Sequence, residues 1–285
     1  MMDSMKYSAN DNKLQESELS EKEKDMLEYL NSRKGYLPYY DCPICLNRGT
    51  LSYYDKNHME CIEYCTCSDV RKTKKRIIDT GLKASFDKYS FDNFMTDRPW
   101  RKELYSLAKE FINDIKQHQN YWFLISGDPG FGKTHICISI LNELVNDGND
   151  IEYISFFDDL PKLQRDLNNF YVDVKDKAEM KLIKSKTSKV LYIDDFLKTT
   201  TDVSLSLLFQ ILNHRYADSS LVTIISTERS LSELVDYDRA LSTRILERTT
   251  RKYVYKTPKE MKDNHRLKDF IKDIKPKETN NDSAN

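Results

Sequence analysis

The chain carries only seven glycines in 285 residues, and three of them, Gly127, Gly130 and Gly132, fall within six positions. They belong to Gly127-Asp128-Pro129-Gly130-Phe131-Gly132-Lys133-Thr134, which meets the phosphate-binding pattern G-x-x-x-x-G-K-[ST] at every fixed position. Glycines there let successive backbone N–H groups turn inward around a polyphosphate, where a Cβ would clash or forbid the dihedrals. Lys133 then reaches the β- and γ-phosphates and the Thr134 hydroxyl ligates Mg²⁺, with His135 next on the same turn. The flanks fit. Trp122 to Ser126 is a strand-like apolar run, and Ile136, Ile140, Leu141, Leu144 and Val145 recur at helical spacing up to Gly148. Strand, glycine loop and helix in that order point to a nucleotide rather than to an ordinary surface turn.

Around this motif the chain alternates helical and strand signals, which predicts an α/β domain with a central, mostly parallel five-stranded sheet. Leu104, Leu107, Ala108, Phe111, Ile112 and Ile115 mark a helix ahead of the first strand. Further strands are expected at Ile151 to Phe157, Val190 to Asp195, Leu221 to Thr227 and Arg251 to Lys256. Helical sequence fills the gaps, including charged sequence to about Lys186 and one run from Leu231 to about Glu247. The reading divides the chain into a flexible acidic N-terminus with a short helix (1–38), a cysteine-rich module (39–80), a linker (81–100), the nucleotide-binding domain (101–257) and a charged, disordered tail (258–285). Gly81 is expected to stop a basic helix that carries Arg71 to Arg76.

Val190-Leu191-Tyr192-Ile193-Asp194-Asp195 is an apolar strand ending in two carboxylates. Doubly wound sheets bind ligands at the carboxyl ends of their strands. Asp194 is thereby expected beside the glycine loop, holding Mg²⁺ through water, and Asp195 is suited to polarise the water that attacks the γ-phosphate. The fourth strand ends in Ser226-Thr227-Glu228, whose tip is expected between the first and third strands, as a γ-phosphate sensor or a plain turn. Arg244 and Arg248 lie four apart on one helical face. Arg244 is the candidate arginine finger for a neighbouring subunit's nucleotide, against a surface ion pair; Arg215 is a weaker competitor.

The charged fraction of 32% and apolar fraction of 39% describe a polar chain with a modest core, and no run approaches the ~20 apolar residues of a membrane span. An acidic, polar start lacks the features of a secretory signal, so a cytoplasmic location with no membrane partner is expected. The net charge of −1 excludes a whole-molecule electrostatic footprint for nucleic acid; any such surface is local. Six cysteines in a cytosolic setting argue for metal before disulfides. Cys42-x-x-Cys45 is a zinc-knuckle spacing, and a second pair among Cys61, Cys65 and Cys67, or His58, would close a structural site. Four protein ligands leave no open position, which argues against a catalytic metal there. Tyr39, Tyr40, Tyr53, Tyr54 and Tyr64 crowd the module, either to stack on bases or, as favoured, to replace a missing core. Cys137, in the helix after the loop, is expected in the core.

In order and spacing, Asp128-Pro129-Gly130, Ile193-Asp194-Asp195, Ser226-Thr227-Glu228 and Ala240-Leu241-Ser242-Thr243-Arg244-Ile245 resemble AAA+ ATPases, most of all bacterial and phage replicative-helicase loaders of the DnaC/DnaI type. IstB-like transposition ATPases are similar over the same region. Thr80-Gly81-Leu82 and Phe91-Asp92-Asn93-Phe94 also look like the lead-in to these domains, where aromatic residues pack near adenine. The resemblance spans about Asp41 to Lys256. It implies an AAA+ P-loop ATPase preceded by a zinc module that grips the helicase, with Cys65 and Cys67 as the second ligand pair. It further implies ATP, Mg²⁺ and Zn²⁺ as cofactors, and homo-oligomers in the ATP state.

The implied function is ATP-dependent loading of the replicative DNA helicase onto single-stranded DNA, with hydrolysis slow in the isolated protein. An IstB-like transposition helper is the alternative within the superfamily; a P-loop small-molecule kinase and a non-hydrolysing nucleotide-binding adaptor are the alternatives outside it. One departure stands out. Family members often carry Asn where Glu228 stands, and an acid there would repel a γ-phosphate unless it points away.

Overall fold

The computed structural model describes residues 12–79, 83–198, 202–259 and Asn264, without the side chains of 76, 77, 79, 83 and 202–204. The expected helix stop at Gly81, the Thr80-Gly81-Leu82 lead-in and nearly all of the charged tail lie outside these residues. The chain divides into two compact units, Met1–Asp79 with Val145–Asn149, and Thr80–Leu144 with Asp150–Asn285.

In the first unit, α1 (Glu21–Ser32) begins at Ser20, whose hydroxyl and N–H both engage Glu23 in a capping box. A hairpin follows, β1 (Thr50–Tyr54) antiparallel to β2 (Glu60–Tyr64), with Thr50 opposite Tyr64. Helix α2 (Cys67–Asp79) completes the unit. Its packed centre is made of Cys42, Cys45, Cys65 and Cys67, with Tyr40 and Leu51 against them. Of the five tyrosines favoured as a substitute core, Tyr40 packs against this centre, whereas Tyr39 and Tyr64 are exposed. Tyr64 is 85% exposed, on the outer face of a two-stranded ribbon. A hairpin this small has one covered face at most, so alternate side chains meet solvent whatever their polarity.

The second unit is a five-stranded, wholly parallel sheet in the order β4 (Ile151–Ser155), β5 (Val190–Asp194), β6 (Val222–Thr227), β3 (Phe123–Ser126), β7 (Val254–Lys256). It is preceded by α3 (Lys83–Lys88) and α4 (Pro99–Lys116), the latter starting with proline at its first turn. Helices α5 (Lys133–Asn146), α6 (Asp159–Leu167), α7 (Val172–Thr187), α8 (Asp202–Ala217), α9 (Leu231–Tyr237) and α10 (Arg239–Arg248) connect the strands. Every residue of β3 and β6 is buried, the pattern of strands covered on both faces. Trp122, Leu124, Ile193, Ile225 and Leu208 lie in the main core, and Cys137 is fully buried, as expected.

The helical run expected between Leu231 and Glu247 is two helices. Asp238 takes an extended backbone (φ −147°) and its carboxylate caps the Leu241 N–H at 2.9 Å, which starts α10 anew. The charged stretch after β4 is likewise split, between α6 and α7.

Candidate functional site

The strand order places the tip of β6 between β3 and β5, as the sequence predicted, and the three tips open into one cleft of about 700 Å³. The glycine loop, Lys133, Thr134 and His135 form one wall, and Asp194, Asp195 and Glu228 form another. Gly127 (φ 142°) and Gly130 (φ 89°) both sit where an L side chain is strained. A Cβ on Gly127 would lie 1.9 Å from Thr257 Oγ1, and one on Gly130 would lie 2.2 Å from Asn264 Oδ1. Asn264 Nδ2 also donates to Pro129 O at 2.9 Å, so this residue of the C-terminal segment clasps the loop.

Lys133 Nζ donates to Gly127 O at 2.7 Å and Asp128 O at 2.9 Å. Burial pushes its ammonium pKa down, while Glu228, Asp195 and Asp194 draw it back up. The residue is thus a pre-placed cation with acids opposite it. A polyphosphate that fitted the cradle would exchange two carbonyl acceptors for charged oxygens, which bind an ammonium more strongly. Phe131 is buried against Trp100, ring centroids 6.0 Å apart, and so contributes backbone rather than its ring to the loop. His135 is engaged by the segment ahead of α4. Its ring stacks on Tyr89 (4.8 Å) and meets Phe94 edge-on (5.1 Å), and Nε2 lies 2.9 Å from Asn93 Oδ1. Tyr89, Phe94 and Met95 also line the cleft. They form an aromatic end beside the loop, suited to a flat heterocycle.

The two carboxylates at the end of β5 differ in environment. Asp194 Oδ1 accepts from the Tyr192 hydroxyl at 2.7 Å, from the Asp195 N–H at 3.1 Å and from the Ser226 hydroxyl. Among the described residues Oδ2 takes no hydrogen bond, so an oriented acid keeps one oxygen for a hydrated cation. That donor set suits Mg²⁺, which keeps most of its waters and takes one or two carboxylates. Asp195 stands in the left-handed region (φ 54°), as does Leu197 (φ 58°). Non-glycine residues there cost about 1–3 kcal/mol each and persist only where the surroundings impose them. The turn swings Lys198 back over the site: its Nζ lies 3.1 Å from Asp195 Oδ2 and 3.3 Å from Glu228 Oε1. Nothing in the local sequence announces Lys198 beside the acidic pair. Its pKa is raised, first by the Asp195 hydrogen bond.

Of the arginines, Arg215 is wholly buried and donates to backbone carbonyls and Thr223, which removes it as a finger. Arg248 donates to Leu221 O at 2.8 Å and Asn120 O at 3.0 Å and lies over the Trp122 ring. Arg244 is the outward one. Among the described residues it hydrogen-bonds only its own helix, at Ala240 O, and it lies over Phe209 and Tyr216.

The family model for IstB-like ATP-binding proteins matches residues 47–268. The chain belongs to this family. It is 30% identical over 220 residues to the phage-like element PBSX protein XkdC of Bacillus subtilis (strain 168), covering 73% of this chain and 79% of that one. It is also 30% identical over 188 residues to the insertion sequence IS5376 putative ATP-binding protein of Geobacillus stearothermophilus, covering 64% of this chain and 70% of that one. In fold, this IstB-like protein resembles AMPPCP-bound DnaA from Aquifex aeolicus, with a TM-score of 0.51 at 21% identity over 65% of this chain; it spans 55% of that DnaA chain. The α/β unit thus shares the fold of that structure, and for a member of the IstB-like ATP-binding family ATP is the ligand expected in the cleft.

A second site lies in the first unit. The sulfurs of Cys42, Cys45, Cys65 and Cys67 all lie within 4.8 Å of one another, and all four residues are buried. Cys42 and Cys65 sulfurs are 3.8 Å apart and those of Cys45 and Cys67 are 3.5 Å apart. A Zn–S bond of ~2.3 Å sets the edge of a tetrahedron near 3.8 Å, so the four thiols fit zinc and do not form disulfides. Burial opposes ionisation here, yet the Gly49 N–H, at 3.2 Å from Cys45 Sγ, and the neighbouring thiols lower Cys45 to about 6. Burial pushes Cys67 up to about 12. Four thiolates cannot share this space without a cation. Cys61 lies apart on β2, and His58 instead pairs with Glu23 at 2.8 Å. Arg71, on the basic helix, is buried; it donates to Cys67 Sγ, Leu37 O and Asn47 Oδ1 and so braces the cluster. No helix among the described residues is long and apolar enough to cross a membrane.

Proposed function

We propose that this protein hydrolyses ATP in the cleft and uses the cycle to load a replicative DNA helicase onto single-stranded DNA. The observation that carries the reading is the meeting, at adjacent strand tips, of a glycine cradle, a buried lysine and an oriented acid with one oxygen to spare. Lys133 and the loop amides would bind the phosphates, Thr134 and Asp194 would hold Mg²⁺, and Asp195 would take the proton of the attacking water once freed from Lys198. Mg²⁺ would neutralise charge between the phosphates. Arg244 of one subunit would reach the nucleotide of the next, which makes hydrolysis depend on assembly. The four-thiol module ahead of the ATPase supports the loader over other uses of the fold, because it offers a rigid docking element for a protein partner. Zinc there would be structural.

A second reading, a transposition helper acting on duplex DNA, is favoured by the likeness to the insertion-sequence protein. Retention of the replicative helicase on the immobilised full-length chain, together with ATP turnover raised by single-stranded DNA, is the expected result. Turnover raised by duplex DNA alone, without helicase retention, would replace the loader by the helper. Nucleotide binding with no turnover under either condition would leave only an adaptor.

A further inference from the structure

Three carboxylates, Asp194, Asp195 and Glu228, line the cleft together with Lys133 and Lys198, and Lys88 and Arg101 line it too. Lys133 is engaged with loop carbonyls, so the cation next to Glu228 is Lys198. Its placement is imposed by the backbone. The turn that carries it is pinned to the end of β6 at three points: Phe196 N–H to Ser226 O at 2.9 Å, the Thr227 hydroxyl to Phe196 O at 2.7 Å, and Arg229 Nε–H to Leu197 O at 2.7 Å. Lys198 and Glu228 are therefore brought together at the same strand tip, although 30 residues separate them.

An acid at the tip of β6 is a liability for a triphosphate. A terminal phosphate held by Lys133 adds negative charge next to Glu228, and like charges a few ångströms apart are strongly disfavoured where water is scarce. Resting on the nucleotide-site reading, we infer that Lys198 is a positioning residue that neutralises Glu228. Lys198 also bonds Asp195 Oδ2 at 3.1 Å, so once Asp195 releases it to act on water the Lys198–Glu228 pair becomes a single uncharged polar group and lets the cleft accept a γ-phosphate. The half-exposed pair adds little to folding stability, so its replacement leaves the fold intact. Its effect falls on the third phosphate, the part of ATP that ADP lacks.

The test is a double-variant cycle on the full chain, with ATPγS and ADP binding measured by calorimetry in the presence of Mg²⁺. Lys198→Met should weaken ATPγS relative to ADP by about tenfold, a like-charge effect of modest size. Adding Glu228→Gln to Lys198→Met should bring that ratio back to within about threefold of the wild type, because the uncompensated charge is gone. A ratio that moves less than about threefold in Lys198→Met, or a double variant closer to Lys198→Met than to wild type, overturns the inference. ADP affinity serves as the check on folding in each variant. Wild-type protein that binds neither nucleotide removes the nucleotide site itself; binding of both with an unmoved ratio removes only the role of Lys198.

Discussion

Arg215 donates its Nε–H to the Thr223 hydroxyl at 3.0 Å, in a buried position where, among the described residues, none of its hydrogen bonds goes to a carboxylate. Its remaining donors go to carbonyls, Ser188 O at 2.8 Å and Val222 O at 2.5 Å among them, with Ser185 and Lys186 O at 3.3 Å. The guanidinium thus closes the C-terminal end of α7, where cations are favoured, and ties it to the first residue of β6. Burial pushes its pKa down, but a guanidinium surrounded by acceptors stays protonated.

Arg215→Met should therefore destabilise the α/β unit by about 3–5 kcal/mol, because several buried carbonyls lose their donor at once. Chemical denaturation measures this directly. The folded fraction of the variant should bind nucleotide normally, since Arg215 lies apart from the residues that line the cleft. A loss of nucleotide affinity without a loss of stability would return Arg215 to the catalytic candidates.

Much of the nucleotide site was legible in the sequence because its parts are local. The glycine spacing defines the loop, and an apolar run that ends in Asp194-Asp195 defines the facing acids. The sheet order puts β6 between β3 and β5. What was not legible depends on distant or conformational relations. Lys198 reaches the site through two left-handed residues, Asp195 and Leu197, that carry no glycine signal. Arg215 and Arg244 look alike in sequence; only burial separates a structural cation from an outward one. In the cysteine module the metal-ligand spacing was informative, whereas its many tyrosines were not, since composition does not tell which face of a hairpin is covered.

The thiol cluster predicts a unit whose fold depends on metal. Strong chelation, or Cys45→Ser, should unfold the first unit while the α/β unit keeps its own cooperative transition, because four buried cysteines form the packed centre of the former. Elemental analysis should find one zinc per chain. Protein purified without chelator and free of zinc, yet folded throughout by hydrogen exchange, would rule this out.

Acid should loosen α1 by a separate route. The Ser20 hydroxyl and N–H, then His58, hold the Glu23 carboxyl down at about 2, against an ordinary value of 4.5. A depressed carboxylate pKa contributes stability that is complete above the unfolded value and is lost as pH falls through the folded one. Protection of α1 amides should thus decline between about pH 4.5 and 2. Glu23→Gln should flatten that decline, since the charged cap is already absent; an unchanged profile would assign it to other groups.

Among the described residues Arg244 meets its own helix and two aromatic faces and no other partner, in contrast to Arg248, which is fastened to the Asn120 and Leu221 carbonyls. If it serves a neighbouring subunit, Arg244→Ala should bind ATP with wild-type affinity yet lose turnover by a factor of ~10³ or more, the usual worth of an arginine finger. Lys133→Ala should lose nucleotide binding but keep its own Arg244. Neither variant alone should turn over ATP. Mixed together, the second can lend its arginine to nucleotide held by the first, and turnover should rise with the fraction of mixed contacts. An arginine acting within its own subunit gives no such recovery at any mixing ratio, so the shape of that titration decides between the two.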